Sequence, residues 1–462
     1  MSERLEKDSL GEKTIPSDAY WGIHTKRALE NFSISCLKVN PSLIKAMATV
    51  KKTCALTNQE LGCLPLEKSK AIMMACDEII DGKLSDQFPL DALQGGAGTS
   101  TNMNVNEVIA NRAIEILGGQ KGNYGLVHPI EDVNLNQSTN DVYPTALKVA
   151  CISMLRVLAA EIARLQGAFQ KKEKEFAEIV KIGRTELQEA VPMTLGQEFS
   201  AFAEAIGRDR WRTFKCEERL RVVNLGGTAI GTGISAPKSY IFGVIEKLRE
   251  ITGMGLMRGE NLVDATANAD SFVEISGILK AHAVNLIKIS NDLRLLNLLG
   301  EIKLPAVQVG SSIMAGKINP VILESVIQSG YKVIANDALV TEAAAKGSLQ
   351  INEFLPLLAH AILESLDILT AINGIFANHV DGIKADEQKC LDYLNKSPQI
   401  ITAFLPYIGY DKAADLLKEF QSSGKDNLRA FLNEKLGVEA VDKVLSIERL
   451  ISLGYKDRKS IS

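Results

Sequence analysis

The chain has 462 residues, 46% of them hydrophobic and 23% charged, which is enough for two or three domains with a sizeable core. A formal charge of −4 excludes a global attraction to nucleic acid or to an anionic membrane, so any anion site must be made positive locally. No uninterrupted apolar run reaches the roughly 18 residues of a spanning helix, and no membrane segment is expected.

The first residues, MSERLEKDSLGEKTIP, are charged and contain no apolar stretch of the kind a secretory signal needs. Seven cysteines (Cys36, Cys54, Cys63, Cys76, Cys151, Cys216, Cys390) are scattered, odd in number and form no CxxC pair. They read as thiols of a reducing, cytoplasmic setting, most of them small core residues.

Proline is absent between Pro144 and Pro192, between Pro192 and Pro237, and between Pro237 and Pro305. Runs this long without a breaker favour long helices. In the third run Phe272, Ile275, Leu279, His282, Leu286, Ile289, Leu293 and Leu296 recur every three or four residues. That stripe predicts a helix of about 25 residues, about 37 Å long, which buries its face in a bundle. Polar, Gly-rich segments separate the helical runs: Gln94–Asn106, Asn134–Asp141, Gly183–Gln188, Gly226–Gly233 and Gly310–Pro320. Their Ser, Thr and Asn side chains suit caps and turns at bundle ends, and suit equally a pocket on which the segments converge. From Asp381 onward the charge rises and the segments shorten, which predicts a small C-terminal helical domain.

Familiar cofactor motifs fail. In GSSIMAGKINP (Gly310–Pro320) five residues separate Gly310 from Gly316, and Ile318 follows Lys317 where a phosphate loop needs Ser or Thr. GGTAIGTG lacks the strand, helix and acidic residue of a dinucleotide site. The five histidines have no metal-ligand spacing, and His282 on the apolar stripe reads as a core residue. Chemically, Lys317 and Asn319 offer a cation and an amide donor for a carboxylate. Ser311 and Ser312 can hold a second oxyanion or lose a proton. Alone, the segment reads as an ordinary loop.

The combination of segments is more specific. GSSIMAGKINP resembles the GSSxMPxKxNP signature of the aspartase/fumarase superfamily, departing at Ala315, where the family has proline. AYWGIHTKRALENF, QGGAGTSTNMNVNEVIAN, NQSTNDVYPT, ELQEAVPMTLGQEF and NLGGTAIGTG also match, in the family's order. QSTND (with Thr139 where fumarases carry a second Ser), AVPMTLGQEF and GGAGTS lean towards the aspartases.

The resemblance implies an all-α fold: a mostly helical N-terminal domain over 1–137, a central long-helix bundle over 138–390 and a small helical domain over 391–462. It implies elimination of ammonia from L-aspartate to give fumarate through an aci-carboxylate, without cofactor or metal. The alternatives are fumarate hydratase, a lyase for a related N-substituted aspartate, or a non-catalytic homologue. By family position Ser311 is the base; Thr99, Ser138, Thr139 and Ser312 hold the β-carboxylate; Lys317 and Asn319 grip the α-carboxylate. Thr185, Glu186 and Asn140 face the amino group, and Gly310 and Gly316 act as loop hinges. Glu186 stands where the family carries His or Gln, opposite a glutamate matching Glu324. Two neighbouring carboxylates need a cation between them, which an ammonium substrate supplies and the hydroxyl of malate does not. The family's longer SGPRxG-type connection after NDLRLL is reduced here to NLLG (Asn297–Gly300). The partners implied are a small dicarboxylate or amino-acid substrate and other copies of the chain, in a homotetramer with shared sites.

Overall fold

Two antiparallel strands, β1 (Glu3–Asp8) and β2 (Gly11–Pro16), open the fold in the computed structural model, which describes residues 2–454. Helices α1 (Ile23–Asn31), α2 (Pro41–Glu60), α3 (Leu66–Ile80) and α4 (Thr99–Ile116) follow. The 37-residue α5 (Thr139–Glu175) leads to a hairpin, β3 (Val180–Thr185) and β4 (Gln188–Thr194), and then to α6 (Leu195–Leu220). Next come β5 (Val222–Val223), α7 (Lys238–Thr252), β6 (Met257–Arg258), α8 (Leu262–Ala267) and α9 (Asp270–Leu299). Strand β7 (Ile302–Lys303), α10 (Val321–Ala345), α11 (Leu355–Asp381) and β8 (Lys384–Ala385) are followed by α12 (Glu387–Lys396) and six further short helical elements to Ile451. The fold is all-α, with strands only as two-stranded pairs.

The whole predicted stripe on α9, from Phe272 to Leu296, is at most 4% exposed, and His282 is buried with it. Each large apolar residue removed from water there contributes roughly 1.5–3 kcal/mol. The chain groups into two compact units, each discontinuous in sequence: 1–159, 211–283 and 331–370 in the first, 160–210, 284–330 and 371–462 in the second. In the first unit Arg156 of α5 holds Glu217 of α6 bidentately at 2.8 and 2.9 Å, and Lys280 of α9 meets Asp337 of α10 at 2.5 Å. In the second, Phe169 of α5 packs against Phe199 and Phe202 of α6 and Phe376 of α11, with centroids 5.7–6.2 Å apart, mostly edge to face. The C-terminal helices surround a separate cluster that includes Ile182, Leu394, Phe404, Leu428 and Leu432.

Two sequence expectations change here. Gly183–Gln188 is a β-hairpin tip rather than a loop between helices, because Ile182 anchors β3 in the C-terminal cluster. Helix α11 is long and apolar enough to cross a membrane by length and composition, although Glu364 and Asp367 interrupt its apolar run. Most of its apolar window is buried inside the protein, and Asn336 of α10 hydrogen-bonds Glu364 and Ser365 on it, as in a core helix.

Candidate active site

In the first unit Thr99 is the first residue of α4 and Thr139 the first of α5. Gly96, Ala97 and Gly98 all have positive φ, and a Cβ on Gly98 would lie 2.3 Å from the Tyr143 ring. Glycine there lets the start of α4 lie against the Tyr143 ring on the second turn of α5. Ser138 caps α5: its Oγ accepts from Asn140 N at 3.2 Å, and Asp141 Oδ1 accepts from Ser138 N at 2.9 Å. Pro144 inside α5 cannot donate to the Asn140 carbonyl four residues back. Asn224 Nδ2 supplies the missing donor at 3.0 Å.

Asp141 Oδ2 accepts from Gly226 N and Thr228 N, each at 3.0 Å, so this buried carboxyl ties the GGTAIGTG segment to the start of α5. Burial pushes it up to about 6, against the hydrogen bonds it receives. Asn140 donates its amide to Ala229 O at 2.7 Å, which leaves its side-chain oxygen as an acceptor for an ammonium group. Behind the turn lies Lys51 of α2, with no exposed surface. Its Nζ donates to Asn134 Oδ1 at 2.7 Å and to Gln137 Oε1 at 2.9 Å. Asn102 and Asn106 of α4 reach the same Asn134 oxygen at 3.2 and 3.1 Å. Burial lowers Lys51 to about 8. Sequence reading missed this network. Ser138 with Asp141 three residues on was a legible capping pattern, whereas nothing marked Lys51.

In the second unit Thr185 pairs with Gln188, so Glu186 and Leu187 form a two-residue turn with φ of 53° and 62°. Such turns are usually Asn-Gly, and side chains with a Cβ are strained there. The strain holds Glu186 and the 73% exposed Leu187 out from the hairpin. In the Gly310–Pro320 loop, Gly310 N donates to Lys317 O at 2.8 Å and Asn319 Nδ2 to Gly310 O at 2.7 Å. A Cβ on Gly310 would lie 2.8–2.9 Å from these partners, so glycine is what lets the neck close. Gly316 has φ of 79° at the far side. Ser311 Oγ accepts from Ile313 N at 3.2 Å and Met314 N at 2.9 Å. Ser312 and Lys317 are exposed, and Glu324 lies in the first turn of α10. Among the described residues no hydrogen bond or ion pair joins Glu186 to Glu324, and no group of three or more His, Cys, Asp or Glu is placed to hold a metal.

A family model described as lyase matches residues 11–335. The chain is 45% identical to the aspartate ammonia-lyase of a Bacillus species (99% of each chain), and 46% identical to that of Helicobacter pylori (97% of this chain, 98% of that one). It belongs to the lyase family. The Escherichia coli aspartate ammonia-lyase is 44% identical to this lyase over 99% of its chain and 98% of the relative's. Among solved structures, the lyase is similar to a fumarate lyase:delta crystallin from Brucella melitensis bound to cobalt, at a TM-score of 0.94 and 48% identity, covering 98% and 100% of the two chains. It also matches a class II fumarase from Schistosoma mansoni, at a TM-score of 0.90 and 32% identity over 97% and 99%.

Proposed function

We propose that this lyase is an aspartate ammonia-lyase, eliminating ammonia from L-aspartate to give fumarate. The observation that carries the reading is Ser311, whose Oγ accepts two backbone N–H groups inside the loop that also holds Lys317 and Asn319. Those donors favour the alkoxide over the hydroxyl, which is what a serine base needs at ordinary pH. Curated relatives at 44–46% identity over nearly the whole chain support the amine substrate.

Ser311 takes the proton from C3, the electron pair forms the C2–C3 double bond, and the C2–N bond breaks with its pair on nitrogen. The substrate nitrogen is already an ammonium group, so it leaves as neutral ammonia and no separate acid is required. Negative charge gathers on the β-carboxylate in the intermediate, where Thr99, Ser138, Thr139 and Ser312 act as donors. Thr99 and Thr139 open α4 and α5, and the positive ends of both helices favour that charge. Lys317 and Asn319 hold the α-carboxylate. The substrate ammonium meets Thr185, the free oxygen of Asn140 and the carboxylates of Glu186 and Glu324, and Gly310 and Gly316 let the loop move over it.

The site segments are divided between the two units, and the long helices carry exposed apolar residues: Val157, Trp211, Phe214 and Tyr331 are 55–68% exposed. Both observations support a homotetramer with sites shared among chains. All seven cysteines are free thiols, in keeping with a reducing, cytoplasmic setting. The test is fumarate formation, followed by its ultraviolet absorbance, from L-aspartate and separately from L-malate. Turnover of malate in preference to aspartate would overturn the assignment in favour of a hydratase.

A further inference from the structure

The hairpin tip that carries Thr185 and Glu186 has no side-chain anchor of its own. Residues 185–189 are all exposed, and among the described residues none of their side chains makes a hydrogen bond or ion pair. Arg184 is the last anchored side chain before the tip. Glu186 and Leu187 sit at φ of 53° and 62°, a conformation that persists only where the surrounding structure imposes it.

The constraint comes from Glu301, in the turn between α9 and β7, whose side chain has no exposed surface. One of its carboxylate oxygens meets Lys181 Nζ at 2.7 Å and the other meets Arg184 Nη1 at 2.7 Å. Lys181 is matched further by Glu198 of α6 at 2.6 Å. The backbone fixes Glu301 as well. Its N–H donates to Leu296 O at 3.0 Å, and its carbonyl accepts from the N–H of Asp386, the cap of α12, at 2.9 Å.

In a regular strand residues 181 and 184 point to opposite faces. Strand β3 is bulged between them: Ile182 pairs with Pro192 but Arg184 with Glu189, one residue out of register. The bulge re-aims Arg184, and both cations reach one carboxylate. The Arg184 guanidinium also lies over the Tyr393 ring, 5.0 Å from its centroid, and Tyr393 Oη donates to Leu299 O at 3.1 Å. All these residues belong to the second unit. The charge of Arg184 is matched by Glu301 rather than left for a substrate carboxylate, so its contacts serve the backbone that Thr185 and Glu186 continue.

We propose that Arg184, clamped between Glu301 and Tyr393, is a positioning residue for the elimination: it sets the hairpin tip so that Thr185 and Glu186 meet the substrate ammonium. The proposal rests on the placement of those two residues at the amino group.

The experiment measures kcat/KM for L-aspartate, and the Ki of succinate as a competitive inhibitor that lacks the amino group. The proteins are the intact enzyme, Glu186→Gln, Arg184→Gln, Tyr393→Leu, and each of the last two combined with Glu186→Gln. Tyr393→Leu removes the ring under the guanidinium and leaves every charge paired, so it carries the same test if Arg184→Gln does not fold. A misplaced tip lowers kcat/KM about tenfold in Arg184→Gln and about threefold in Tyr393→Leu. Each double variant stays within about twofold of Glu186→Gln alone, because both changes remove the same interaction. The Ki of succinate is unchanged throughout. Undiminished kcat/KM in Arg184→Gln, losses that multiply in the double variants, or a Ki that rises in parallel overturns the proposal and leaves the ammonia-lyase assignment standing. An inert Glu186→Gln overturns the placement of the tip at the amino group and this proposal with it. No aspartate turnover by the unmodified enzyme overturns the assignment itself and this proposal as well.

Discussion

Replacing Lys51 by Met separates positioning from folding, because the burial of the charge and its hydrogen bonds oppose each other. The side chain has no exposed surface and donates to Asn134 and Gln137 at 2.7 and 2.9 Å. Two such charged hydrogen bonds contribute roughly 3–6 kcal/mol together. Burial lowers the group from 10.5 to about 8, a penalty of about 3 kcal/mol. The net stabilisation is therefore about 0–3 kcal/mol, and Lys51→Met lowers Tm by less than about 10 °C. The turn that carries Ser138 and Thr139 nevertheless loses two tethers. A displacement near 1 Å there lowers kcat by about 100-fold. The pH dependence gives a second readout. Below about pH 8 Lys51 is charged in both native and unfolded chains and the penalty is present in full. Between about pH 8 and 10.5 the unfolded chain binds more protons, so this residue makes stability rise with pH. Lys51→Met lacks that rise. Melting curves from pH 7 to 10.5 and steady-state kinetics on aspartate supply both measurements. Unchanged kcat with unchanged Tm would refute the positioning role, and identical pH slopes would refute the buried charge.

Ser311→Ala removes the proposed base from an exposed loop and should lower kcat at least about 1,000-fold while leaving the melting curve in place; retained turnover means that another group takes the proton. Glu186→Gln should lower kcat/KM for aspartate roughly tenfold without lowering it for malate, and equal kinetics on both substrates reject a role at the amino group. Gly98→Ala places a methyl 2.3 Å from the Tyr143 ring at φ of 90° and should destabilise by about 2–4 kcal/mol in denaturant titrations. Gly11→Ala, also at positive φ but with nothing within 4 Å, isolates the backbone part of that effect.

Much of the fold was legible because its signals are local. The eight-residue stripe on α9 needs only the helical period, and all eight residues are buried. The hairpin at 180–194 was not legible, since its turn is Glu-Leu rather than Asn-Gly and each strand has only six or seven residues. The segments with site chemistry were legible as motifs, yet their partners were not. Asn224, which satisfies the carbonyl left without a donor by Pro144, lies 84 residues from it in the chain. Lys51 acts on residues 83 and 86 positions away and looks like any helical lysine in sequence.

By itself the sequence determined the long helices and the residue types that can hold two carboxylates, because periodicity and side-chain chemistry are properties of short stretches. The tertiary structure decided which charges are matched and which are left over. It paired Lys181 and Arg184 with the buried Glu301, left Glu186 without a partner, and opened the leucines at the end of α9 beside it. Ion pairing and burial depend on distances in space, and residues over a hundred positions apart acquire such distances only when the chain folds.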